Sequence, residues 1–154
     1  MKKIGEYTIR GMSNETESES GSPKRIDLFD GTFKTAYRVI EFSVWGATYA
    51  TSTHPDCIGK LGTTGDLEEQ SVNFMNAGEQ REIAWAGMSA STDSWNSQDS
   101  IIDPDNLIVE DLYVYVRNVS DAENINYMIK MEKYAITDWQ GALAMVRNKA
   151  QNVK

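Results

Sequence analysis

The stretch that most constrains what this chain can become is Leu107–Arg117, LIVEDLYVYVR. In an extended chain Ile108, Leu112, Val114 and Val116 fall on one side and Leu107, Val109, Tyr113 and Tyr115 on the other. Both sides are apolar, as they are in a strand covered on two faces. β-Branched and aromatic residues dominate the stretch, and no Gly or Pro interrupts it. Asp103-Pro104-Asp105-Asn106 supplies a turn before it, and Arg117-Asn118-Val119-Ser120-Asp121 a polar exit after it. A strand buried on both faces needs other layers around it, so the rest of the chain must provide them.

Ile125–Tyr134 supplies the most regular alternation. Ile125, Tyr127, Ile129 and Met131 point one way, and Asn126, Lys130 and Glu132 the other, as in a half-exposed antiparallel strand. Lys24–Asp30 with the Asp30-Gly31 turn reads as one arm of a hairpin, and Thr32–Trp45 as its partner. Within that partner Ile40, Phe42 and Val44 alternate while Tyr37 and Val39 sit on the other register, which predicts a β-bulge or an early twist. Arg81–Ala86 reads as a further strand with Ile83 and Trp85 on one face. Gly46–Gly65 reads as irregular, Asp66–Ala77 is ambiguous, and Ser89–Ser100 reads as a long polar loop around Trp95.

After Thr137 the period changes. Thr137 and Gln140 make a capping box, Asp138 lies at the positive end of the helix dipole, and Arg147 and Lys149 lie towards the negative end. Trp139, Ala142, Leu143 and Val146 then form one apolar stripe at i, i+3, i+4 and i+7. Gly141 weakens that helix by about 1 kcal/mol relative to Ala. The fold class that follows is mainly β: an antiparallel β-sandwich or jelly roll with a C-terminal α-helix over residues 138–150. The short connection before the helix favours packing of its stripe on the chain's own sheets.

The domain organisation expected is residues 1–23 as a flexible N-terminal arm and linker, and residues 24–154 as a single β-rich domain. Gly11–Ser22 alternates Ser with Glu and has almost nothing to bury. Within residues 1–23 Ile4–Arg10 reads as a short strand or an arm, and Ile4, Tyr7 and Ile9 give the arm something to bury on a neighbouring subunit. The net charge is −8, with three basic and no acidic residues from Trp139 onward. Counterion release on DNA or RNA needs clustered Lys and Arg, so direct contact with nucleic acid is not expected. No run approaches the ~20 apolar residues of a membrane span, and no signal-peptide pattern follows Met1-Lys2-Lys3. The single cysteine, Cys57, has no internal disulfide partner.

Catalytic and metal patterns are weak. His54 and Cys57 stand alone of their kinds, where zinc needs three or four ligands. Gly87-Met88-Ser89-Ala90-Ser91 approaches a nucleophile elbow but has Ser91 where the second glycine belongs. Asp99, Asp103, Asp105 and Asn106 crowd one loop without the EF-hand glycine and glutamate, and fit turn formation better than Ca²⁺. Glu110 and Asp111 would point to opposite faces of a strand. No catalytic residue, metal ligand or cofactor site is expected. Trp95, set among polar neighbours, could stack on a sugar or anchor an interface.

Arg25–Gly31, Tyr37–Phe42, Arg81–Gly87, Asn106–Val116 and above all Asn126–Gln151 resemble small virion-associated structural proteins of marine tailed phages. That resemblance spans roughly Lys24 to Gln151 and carries over no catalytic residues. It implies a non-enzymatic virion protein, made in the host cytoplasm, whose partners are copies of itself and other virion proteins. A capsid decoration, minor capsid or connector role follows; the alternative is a sugar-binding β-sandwich such as a receptor-binding protein using Trp95. The residues expected at an interface or ligand are Ile4, Tyr7, Ile9, Trp95, Trp139, Leu143 and Val146.

Overall fold

The computed structural model describes residues 1–14, 22–47, 56–67, 75–90, 95–118 and 124–149, the side chains of 90 and 95–98 aside. Two antiparallel sheets face each other. The smaller carries β1 (Lys2–Ser13), β8 (Ile125–Ala135) and β3 (Thr35–Gly46) in the order β1-β8-β3. The larger carries β2 (Lys24–Asp27), β7 (Asp111–Asn118), β4 (Cys57–Gly62), β5 (Glu82–Ala90) and β6 (Trp95–Ile102) in the order β2-β7-β4-β5-β6. A single helix, α1 (Asp138–Lys149), follows β8.

The alternation of β8 sets the small sheet: Ile125, Tyr127, Ile129 and Met131 are all buried in the sandwich. Of the bulge and the early twist expected in β3, the bulge is present, as the register against β8 shifts between Val39 and Glu41. It brings Tyr37, Val39, Phe42 and Val44 all into the core despite their mixed parity. The arm expected at residues 1–23 is corrected in its first part. Lys2–Ser13 is a strand of the chain's own sheet, in register with β8 from Lys2 opposite Ala135 to Ser13 opposite Ile125. Ile9 and Ile129 lie opposite each other, and Ile9 packs on the core, which gives β1 a reason to stay. The Ser/Glu segment at 15–21 lies outside the described residues.

The central stretch becomes a strand later than its sequence suggests. Only Asp111–Asn118 forms β7, which pairs with β2 on one side and β4 on the other. Leu112, Val114 and Val116 enter the sandwich core, while Tyr115 packs with Leu67 on the opposite face. Four other expectations are corrected. β2 and β3 are not a hairpin: they belong to different sheets, and the chain crosses between them through a turn where Gly31 has φ of 91°. The irregular segment Gly46–Gly65 contains β4, a central strand. The polar stretch Ser89–Ser100 contains most of β6, which pairs with β5 at the edge of the larger sheet. Ile83 and Trp85 do not share a face. The register of β5 against β4 runs from Ala84 to Glu82, so Ile83 is an extra residue turned into the core.

The two sheets are tied together beside β3. Ile108 and Tyr37 exchange backbone bonds, each N–H donating to the other's carbonyl at 2.8 Å. Asn106, 1% exposed, continues that edge beside the bulge: its amide accepts from Val39 N at 2.8 Å and donates to Val39 O at 3.0 Å. One side chain thus stands in for a strand residue on the side of β3 away from β8.

Candidate interaction surface

The capping box forms as expected. Thr137 N donates to Gln140 Oε1 at 3.0 Å, and Gln140 N donates to Thr137 Oγ1 at 3.2 Å. The face that helix α1 buries is not the apolar stripe. Its buried residues are Gly141, Ala144 and Asn148. Ala144 joins a small cluster with Ala36, Val109 and Ile136, supported by Leu107 and Met145. A Cβ added at Gly141 would lie 2.4 Å from the Phe33 carbonyl oxygen, so the glycine permits the helix to press against backbone. Asn148 Nδ2 donates to Leu107 O at 2.8 Å, and Thr63 Oγ1 donates to Asn148 O at 2.6 Å.

Packing of the stripe on the chain's own sandwich is therefore corrected. Trp139 is 72% exposed, Leu143 51% and Val146 69%. Small residues at 141 and 144 allow closer docking than the bulky stripe would, so the stripe is left facing outward. Beside it runs an open groove of about 310 Å³ whose walls include Leu107, Leu143, Arg38 and Arg147. Both arginines are engaged. Arg38 lies over the Tyr134 ring at 5.4 Å and donates to Asn106 O. Arg147 pairs with Asp103 Oδ2 at 2.8 Å and also donates to the Asp105 carbonyl.

The other interface candidates separate. Ile4 is 52% exposed and Tyr7 49%, both on β1, whereas Ile9 packs on the core. The side chain of Trp95 lies outside those described, so the sugar-stacking alternative has no geometry to rest on. Met12 and Met128, exposed on the small sheet, were not singled out from sequence. Their exposure follows from strand register, which needs the pairing partners to be known.

A second place carries more chemistry. On the outer face of the large sheet Tyr115, Lys60 and Trp85 lie opposite one another on β7, β4 and β5. The Lys60 ammonium is 3.5 Å from Glu82 Oε2, with side-chain exposures of 1% and 4%. It also lies 5.6 Å from the centroid of the Tyr115 ring. Glu82 Oε1 accepts from Trp85 Nε1 at 2.9 Å and from Asn76 N at 3.2 Å. Tyr115 donates to Thr64 O at 2.7 Å. Burial lowers the Lys60 pKa against the opposing pull of Glu82, and burial pushes the Tyr115 hydroxyl up to about 12. A lysine of this kind could serve as a base or amine nucleophile only if the residues over it opened. As placed, it is paired with Glu82, which holds Asn76, while Tyr115 holds Thr64 and Leu67 against the sheet.

The remaining motifs resolve into structure. Asp103 Oδ1 accepts from Asp105 N at 2.9 Å and its other oxygen holds Arg147, while Asn106 is committed to Val39. Cys57 is 1% exposed, and burial pushes its thiol up to about 12. His54 lies outside the described residues. Among the described residues no group of three or more His, Cys, Asp or Glu could hold a metal ion, and no helix is long and apolar enough to cross a membrane.

Comparison with known proteins returned no matching family model, no matching curated protein and no matching solved structure.

Proposed function

We propose that the protein is a non-enzymatic structural subunit of a virion, assembling through subunit contacts as a capsid decoration, minor capsid or connector component. The observation that carries the reading is the outward apolar stripe of helix α1. A helix that already packs on its own sandwich through Gly141, Ala144 and Asn148 still presents Trp139, Leu143 and Val146 to water. Contiguous apolar surface of this kind is characteristic of a contact site, and tryptophan is the residue type most often dominant in one. The virion assignment rests on the resemblance of Lys24–Gln151 to phage structural proteins.

Strand order supports the same reading. A long antiparallel hairpin folded across its middle gives the pairs 1·8, 2·7, 3·6 and 4·5, the jelly roll used in capsid and lectin domains. Three of those four pairs are present here, and β6 pairs with β5 while running close to β3. We read the sandwich as a jelly roll whose sixth strand has stayed with the larger sheet.

The test is sedimentation velocity and negative-stain microscopy of the full chain and of a Trp139→Asp/Leu143→Asp variant over a wide concentration range. The wild type should form rings or closed assemblies. The variant should stay dispersed with an unchanged denaturation midpoint, because neither side chain is buried in the monomer. A wild type that remains monomeric throughout, or a variant that assembles equally well, overturns the reading.

A further inference from the structure

The small sheet has two edges, and they are finished differently. Along β3 the Tyr37–Ile108 bridge and the Asn106 amide occupy backbone groups that an incoming strand would need. Along β1 no strand lies beyond the sheet among the described residues. β1 is twelve residues long, about twice the usual strand, and Tyr7 on it is half exposed. Natural sheets blunt such edges with Lys, Pro or short strands. Here the blunting sits at the ends only. The register shifts at Ile4, and the Lys24 ammonium lies 3.4 Å from the Met12 carbonyl. Between them Gly5–Gly11 is regular.

The sequence of that regular stretch is complementary to itself. Run antiparallel to a second copy about a two-fold axis at Thr8, Glu6 meets Arg10, Tyr7 meets Ile9 and Gly5 meets Gly11, each twice. Residues opposite one another in such a pair share a face. Glu6, Thr8 and Arg10 oppose Glu132, Lys130 and Met128 on the outer face of the sheet, while Tyr7 and Ile9 oppose Met131 and Ile129 on the core face. The two-fold therefore keeps both sandwiches on the same side and continues their cores across the junction. Moving the axis by one residue to Tyr7 or Ile9 loses the charge match, leaving Glu6 or Arg10 opposite Thr8.

We propose that β1 is a homodimer edge: two copies pair through Gly5–Gly11 about a two-fold axis at Thr8, joining their small sheets into one six-stranded sheet. The proposal rests on the assembly reading and names one of its contacts. This contact is closed and isologous, distinct from the helix stripe, so the two together can build beyond a dimer.

The experiment uses the full chain with Thr8→Cys. Thr8 is exposed and opposes Lys130, so the change leaves the core untouched, and Cys57 is too buried to compete. Directly opposed residues on antiparallel strands have Cα atoms roughly 4.5–5.5 Å apart, within disulfide range. Mild oxidation should give a covalent dimer as the main species on a non-reducing gel. Glu6→Arg should weaken the dimer about tenfold or more by setting Arg against Arg at two places, and Glu6→Arg/Arg10→Glu should restore it. The proposal is overturned if Thr8→Cys stays monomeric on oxidation while light scattering still finds a dimer. It is also overturned if the reversed pair fails to restore dimerisation. In either case the assembly reading stands on its own test. A chain monomeric at every concentration overturns both.

Discussion

Lys60 and Tyr115 lie side by side under one cover and titrate with opposite signs. Burial lowers Lys60 below 10.5, so between its folded value and 10.5 the unfolded chain binds a proton that the folded chain does not. Stability contributed by this group rises with pH through that window. Tyr115 moves from 10.0 to about 12, so between those values the folded chain keeps a proton that the unfolded chain has lost. Stability from this group falls there, by about 2–3 kcal/mol on completion. Tyrosine has the higher window, so it governs the approach to alkaline unfolding. Tyr115→Phe is expected to lose about 1 kcal/mol at neutral pH with the Thr64 hydrogen bond, yet to flatten the decline between pH 10 and 12. Urea unfolding across that range measures both. Lys60→Met, which leaves the Glu82 carboxylate buried without its counter-charge, should cost roughly 3–5 kcal/mol. Lys60→Met/Glu82→Gln should recover most of that, because the amide still accepts from Trp85. A loss in the double variant equal to the sum of the Lys60→Met and Glu82→Gln losses would mean that the pair is not coupled.

At the scale of elements, Gly141 reverses an ordinary expectation. Helix propensity alone says that Gly141→Ala should stabilise by about 1 kcal/mol. With the Phe33 carbonyl 2.4 Å from the new methyl, the helix must instead back away, and the melting temperature should fall. Asn106→Ala should be still more damaging: it removes bonds to both sides of Val39 and strands two buried backbone groups at roughly 1–3 kcal/mol each. A thermal melt of each variant decides these. The same two residues mark what the sequence could tell. The alternation of Ile125–Met131, the bulge in β3 and the capping box were legible because each is a local pattern with its own chemistry. The buried face of α1 was not, since hydrophobic periodicity finds the largest apolar stripe and this helix docks by its smallest residues. β4 was hidden because Cys57-Ile58-Gly59-Lys60-Leu61-Gly62 has a lysine and two glycines, and only the neighbouring strands supply the partners that make it a strand. Hairpin logic failed at Asp30-Gly31 because a turn fixes the local bend, not which sheet the next strand joins.

For the whole molecule the main consequence concerns β1. An appended arm could be removed without loss, but β1 pairs with β8 along its length and seats Ile9 on the core. Deleting residues 1–13 should expose the β8 edge and lower the melting temperature by roughly ten degrees or more. An unchanged melt would return the segment to the status of an arm. The pairing of β1 with β8 also joins opposite ends of the sequence, and closure of so large a loop favours slow folding.

Cys57 turns this architecture into its own clock. Its thiol lies between the two sheets, 1% exposed, with ionisation suppressed to about 12, so alkylating reagents can reach it only when the sandwich parts. Each modified molecule therefore records one opening. The labelling rate, divided by the rate for the unfolded chain, gives the population of open molecules without denaturant. Followed against protein concentration, the same single thiol would report how far neighbouring copies keep the two sheets closed.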